Sequence, residues 1–168
     1  MVSFKLFGGQ IQDCIAQVPP QTIKDVKTAQ ENVRKFAEVR RASIKNVEVE
    51  IQPGVFLGHR KNPINKPGAY IPGSWYPLLA SAHLTITTAK VAGVKQVIAC
   101  TPLIQRKLPN ATISAAHFAG ADEIFVIGGT EAIAVMASGT ETIKKVDFTA
   151  GLGDYFAAEA KRLLFGEI

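Results

Sequence analysis

The sequence predicts an α/β fold: a parallel sheet with flanking helices, preceded by one long helix and a β-hairpin. Three observations carry this reading. Apolar residues recur at helical spacing over residues 20–42. Strict alternation then runs from Val47 to Ile51, ahead of a Pro53-Gly54 turn. From Gln96 onward, short apolar runs alternate with helix-like stretches. Strands that alternate with helices need crossover connections, which set the strands parallel and cover both faces of the sheet.

The long helix starts at Pro19-Pro20, since proline suits a first helical turn. Ile23, Val26, Val33, Phe36 and Ala37 form its apolar stripe, and Glu31 with Lys35 supplies an i,i+4 pair. Val47, Val49 and Ile51 alternate with Glu48, Glu50 and Gln52, the pattern of a half-buried strand, and Val55 to His59 is the returning arm. A loop rich in Asn, Pro and Lys spans residues 61–67. A helix is predicted from Pro77 to Ala92, a buried strand from Gln96 to Cys100, and a helix from Asn110, its cap, to Ala119. A strand from Glu123 to Ile127 leads through Gly128-Gly129 into a helix reaching Met136. A short strand over Val146–Thr149 and a helix from Asp154 to Phe165 complete the pattern. The expected organisation is a helix-and-hairpin region over 1–66 and an α/β region over 67–168, together one compact unit.

Composition narrows the function classes. With 168 residues, 47% hydrophobic and 20% charged, the chain has the make-up of a globular protein with a sizeable core. No apolar run approaches the ~20 residues of a membrane span, and Gln10 with Asp13 interrupts any signal-peptide core, so a cytoplasmic location is expected. The formal charge of +5 lies entirely within residues 1–66, which hold 11 Lys/Arg against 6 Asp/Glu. No nucleic-acid recognition motif or interleaved aromatic accompanies it, so a solvated helix face is the expected reading. Cys14 and Cys100 form no CxxC pair. His59, His83 and His117 lie far apart, and no local spacing marks a metal site.

Ligands of open α/β sheets bind beyond the carboxyl ends of the strands. Three loops qualify: Thr101-Pro102, Gly128-Gly129 and Gly151-Leu152-Gly153. Glycine there lets a phosphate approach the backbone at a helix N-terminus, but no complete GxGxxG or GxxxxGK[ST] is present. Glycine is equally the ordinary residue of a tight strand-to-helix turn.

Ordered blocks extend the reading. Gly68-Ala69-Tyr70-Ile71-Pro72-Gly73, Val91-Ala92-Gly93-Val94, Ile127-Gly128-Gly129, Gly139-Thr140-Glu141-Thr142-Ile143 and Gly151-Leu152-Gly153-Asp154 follow in turn. In this order they resemble the front portion of the histidinol dehydrogenase family, zinc- and NAD-dependent dehydrogenases acting on CH–OH groups. The run Arg41-Ala42-Ser43-Ile44, the segment Pro53–Arg60 and Ala80-Ser81-Ala82-His83 are similar to the sulfopropanediol dehydrogenase branch. The resemblance implies an incomplete Rossmann-like sheet. It implies that Tyr70 contacts NAD, and that Glu131 and Asp154 stand where the family has a cofactor-facing glutamine and asparagine.

Several positions depart from the family pattern. Leu152 replaces a proline, and Pro72-Gly73-Ser74 stands for Pro-Gly-Gly. A carboxylate about 5 Å from a diphosphate charge costs on the order of 3 kcal/mol at an effective dielectric of ~20, roughly a hundredfold in affinity. The structural alternative for Glu131 and Asp154 is that of ordinary acids at helix N-termini. The family's zinc ligands and its glutamate–histidine acid/base pair fall in sequence beyond Ile168, so the resemblance implies a truncated chain with no catalytic or metal residues of its own. It would be the NAD-binding portion of a histidinol- or sulfopropanediol-type dehydrogenase, acting with a homodimer partner or a complementing C-terminal half. The alternative is a non-catalytic interaction or dimerisation protein, or a decayed remnant of such an enzyme.

Overall fold

The structure, a computed structural model, describes residues 4–73 and 76–167. In chain order its elements are β1 (Lys5–Leu6), α1 (Gly8–Ala16), α2 (Pro20–Ser43), β2 (Val47–Gln52), β3 (Val55–His59) and β4 (Pro67–Tyr70). Next come α3 (Leu79–Ala82), a π-helical turn (His83–Thr87), α4 (Thr88–Ala92), β5 (Ile98–Thr101) and α5 (Asn110–Ala119). The chain continues through β6 (Glu123–Val126), α6 (Gly129–Ser138), β7 (Phe148–Ala150) and α7 (Tyr155–Leu163).

Among the described residues five strands form one sheet in the order β1-β6-β5-β4-β7. β7, β4, β5 and β6 are mutually parallel, and β1 joins β6 antiparallel. The mixed α/β architecture expected from the sequence is therefore present, with an antiparallel edge strand added. Side chains alternate across the sheet as the pleat requires. Ala69, Ile71, Ala99 and Ile124 enter one core with residues of α1, α2, α4 and α5. Tyr70, Ile98, Cys100 and Phe125 enter the other, against α6 and α7.

The connectivity positions the site. The chain steps from β4 to β5 to β6 in one direction, then returns through α6 to lay β7 on the far side of β4. Strand order thus reverses between β4 and β7, and the crevice at such a reversal is where open α/β sheets bind ligands.

Several elements differ from expectation. β4 is a fully buried central strand that the sequence did not reveal. The predicted helix over 77–92 is interrupted by the π-helical turn. There Thr85 Oγ1 donates to the Ser81 carbonyl at 2.6 Å, and Thr88 Oγ1 donates to that of Leu84. Such hydroxyls compete for helix carbonyls. Asn110 is not the cap of α5; Pro109 holds that position, and the Asn110 amide donates to Gln17 Oε1 at 2.9 Å. The hairpin β2–β3, expected to be half-buried, is exposed along its whole length. Its alternation is intact, but no described element covers the apolar side.

Candidate functional site

The reversal point gathers three loops. β4 ends at Tyr70, β6 leads through Gly128 into α6, and β7 leads through Gly151 into α7. Tyr70 is buried, and its hydroxyl oxygen accepts the Gly129 N–H at the start of α6, at 3.1 Å. One strand end and one helix start are thereby tied directly. Burial raises the Tyr70 hydroxyl above its ordinary range, the hydrogen bond from Gly129 opposes the rise, and the charges of Asp154, Cys100 and Glu131 add to it. The acids singled out in the sequence thus lie near Tyr70: Glu131 follows Gly129 by two residues, and Asp154 follows Gly153, where a Cβ would stand 3.7 Å from the Tyr70 ring.

Two glycines hold the loops together by close approach. A Cβ at Gly128 would stand 2.3 Å from Pro102 Cβ. At Gly151, with φ of +132°, it would meet the Tyr70 carbonyl oxygen at 2.0 Å. Both contacts are internal, so close packing of the turn suffices to require glycine at these positions.

The acids occupy helix starts. Asp154 caps α7, its Oδ1 accepting from Ala157 N at 2.9 Å. Glu131 lies in the first turn of α6, and Thr130 Oγ1 donates to its Oε2 at 3.4 Å. Each carboxylate therefore sits at a positive dipole end that offsets part of its charge. Asparagine would cap α7 as well as aspartate does.

Sequence reasoning marked the Thr101-Pro102 loop without its contacts, and it missed Lys161. Pro102 packs closely against both Gly73 and Gly128. Lys161, half-buried on α7, donates from Nζ to the Gly151 carbonyl at 2.5 Å. Burial lowers the pKa of its ammonium. A signal for Lys161 existed, since residues 154 and 161 stand two helical turns apart on one face. Ser74, in the Pro72-Gly73-Ser74 block, lies outside the described residues.

The histidines do not converge. His83 is buried and its Nδ1 accepts from Gln30 Nε2 at 3.1 Å, while Gln30 also donates to the Ala115 carbonyl at 2.8 Å. His59 Nε2 meets the Lys45 carbonyl at 2.9 Å, and His117 lies against Phe118. Among the described residues no three of His, Cys, Asp or Glu are grouped to hold a metal ion. These side chains do not fit zinc. No described helix is long and apolar enough to cross a membrane.

The family model described as histidinol dehydrogenase matches residues 2–168. The chain belongs to the histidinol dehydrogenase family. A histidinol dehydrogenase homolog from Shouchella clausii is 54% identical over 98% of this chain and 39% of its own length. Sulfopropanediol 3-dehydrogenase from Ruegeria pomeroyi is 42% identical, over 95% of this chain and 37% of that protein. The crystal structure of histidinol dehydrogenase from Elizabethkingia anophelis superimposes with a TM-score of 0.91 at 28% identity, covering 99% of this chain and 38% of that one. This chain thus spans about two-fifths of the length of these family members. The more similar of the two relatives is named a histidinol dehydrogenase homolog, so identity does not favour the sulfopropanediol branch expected from residues 41–44, 53–60 and 80–83.

Proposed function

We propose that this chain forms the NAD-binding portion of a histidinol dehydrogenase-type alcohol dehydrogenase. The observation that carries the reading is the convergence of Tyr70, Glu131 and Asp154 at the point where strand order reverses between β4 and β7. Tyr70 would contact the dinucleotide. The first turn of α6 would face its phosphates with backbone N–H groups, and Lys161 would supply a nearby cation. Bound NAD would accept hydride from a small amino or sulfonated alcohol. The groups that bind that alcohol and take its proton would come from sequence outside this chain, in a complementing C-terminal half or a homodimer partner.

Calorimetric titration with NAD, on the chain and on Tyr70→Ala, tests this. Saturable binding at micromolar to low-millimolar NAD, lost in the variant, is expected. No heat of binding, or equal binding by the variant, contradicts it.

A second reading rests on a different observation. Val47, Val49, Ile51, Val55 and Leu57 on the hairpin are between 42% and 58% exposed. A two-stranded ribbon with an uncovered apolar side gains little stability from itself, and surfaces of this kind drive association. An interaction role is thus the alternative, and it predicts no response to NAD.

A further inference from the structure

A groove of about 740 Å³ lies between the second half of α2 and the helical run from the π turn into α4. Phe36, Ile44 and Leu84 line it while 66%, 54% and 57% exposed, with Val91 at its base. On α2, positions 33, 36, 37 and 40 form one stripe along the groove, and Ile44 extends it just past the helix end. At ~1.5 Å per residue the helical part of that stripe is roughly 10 Å long, about two helical turns. Two helical walls with an apolar floor suit a third helix, whose side chains interdigitate with the ridges of both.

The rim fixes the chemistry of the occupant. Arg40, Arg41 and Lys61 line the groove, and no described carboxylate does. None of the three is in an ion pair with a carboxylate among the described residues. Arg41 instead donates to the Val91 carbonyl at 2.6 Å, and Lys61 to the Arg41 carbonyl at 3.1 Å. These bonds hold the two cations at the rim without neutralising them. A second copy that presented the same surface would set these cations against one another, which is costly across an interface.

We propose that this groove docks an amphipathic helix of another polypeptide, one whose apolar stripe is flanked by acidic residues. The proposal is independent of cofactor binding, and its test does not use NAD.

The probe is a fluorescein-labelled helical peptide with Leu at i, i+3, i+4 and i+7 and Glu at the flanking positions, compared with its Lys-flanked counterpart. Anisotropy titration at low salt is expected to give at least tenfold tighter binding for the acidic peptide. That gap should shrink as salt screens the rim. Phe36→Asp and Arg40→Glu, both at exposed positions, should each weaken acidic-peptide binding at least tenfold with the far-UV spectrum unchanged. Should Phe36→Asp perturb the fold, Arg40→Glu alone decides. Equal affinity for the two peptides overturns the proposal, as does full affinity in the deciding variant. Self-association of the unmodified chain that Phe36→Asp abolishes also overturns it, because a second copy would then be the occupant.

Discussion

The crevice between β4 and β7 and the surface formed by α2 and the hairpin differ in how they use their side chains. At the crevice every loop is over-determined: Tyr70 is bonded to Gly129, Gly151 lies against the Tyr70 carbonyl, and Gly128 lies against Pro102. On the hairpin the alternation is equally regular, yet each of its residues is exposed. Regular patterning thus reports what a segment can bury, and only the tertiary contacts decide what it does bury. The crevice loops are fixed by direct contacts, whereas the hairpin and the groove leave apolar side chains exposed.

Substitutions sharpen this contrast, and the largest effect is expected in the core beneath the crevice. Phe125 is fully buried against α6, and Phe125→Ala should cost about 3–5 kcal/mol in urea unfolding. Gly151→Ala should follow at about 2–4 kcal/mol, because its Cβ would meet backbone at a left-handed φ. Tyr70→Phe leaves the Gly129 N–H without its acceptor and should cost about 1 kcal/mol. Val49→Ser and Phe56→Ser on the hairpin should change the unfolding free energy by less than about 0.5 kcal/mol. A hairpin cost as large as that of Gly151→Ala would break the comparison.

A pH effect belongs to the buried side as well. His83 Nδ1 must be unprotonated to accept from Gln30, and burial lowers the His83 pKa below its ordinary 6.5. The unfolded chain therefore binds more protons than the folded one below that value. Stability should fall as pH drops through about 6.5 and continue falling until the lowered folded pKa is passed. Urea midpoints at pH 7.5 and pH 5, compared with those of His83→Gln, check this. The substitution should flatten the dependence.

Much of the fold was legible because its signals are local. The helix predicted over 20–42 is α2, Pro20–Ser43, and the hairpin ends fall where alternation and Pro53-Gly54 put them. β4 was not legible. Pro67-Gly68-Ala69-Tyr70 has no β-branched residue and reads as a turn, and it is a strand because β5 and β7 pair with it on both sides. The same limit applies to the site. The family resemblance marked Tyr70, Glu131 and Asp154, but strand order, which brings them together, is a non-local property. Pro102 was visible as a strand terminator, and only the fold gives it contact with two glycines.

The most direct test of the crevice as a cofactor site is the NAD affinity of the Glu131→Gln, Asp154→Asn double variant relative to the unmodified chain. In the proposed site the two carboxylates would face the diphosphate, and the helix starts would offset only part of their charge. Affinity should therefore rise roughly tenfold in the double variant, with the Ala157 N–H still capped by the asparagine side chain. An unchanged affinity, or no NAD binding by either protein, would contradict a dinucleotide site at this crevice.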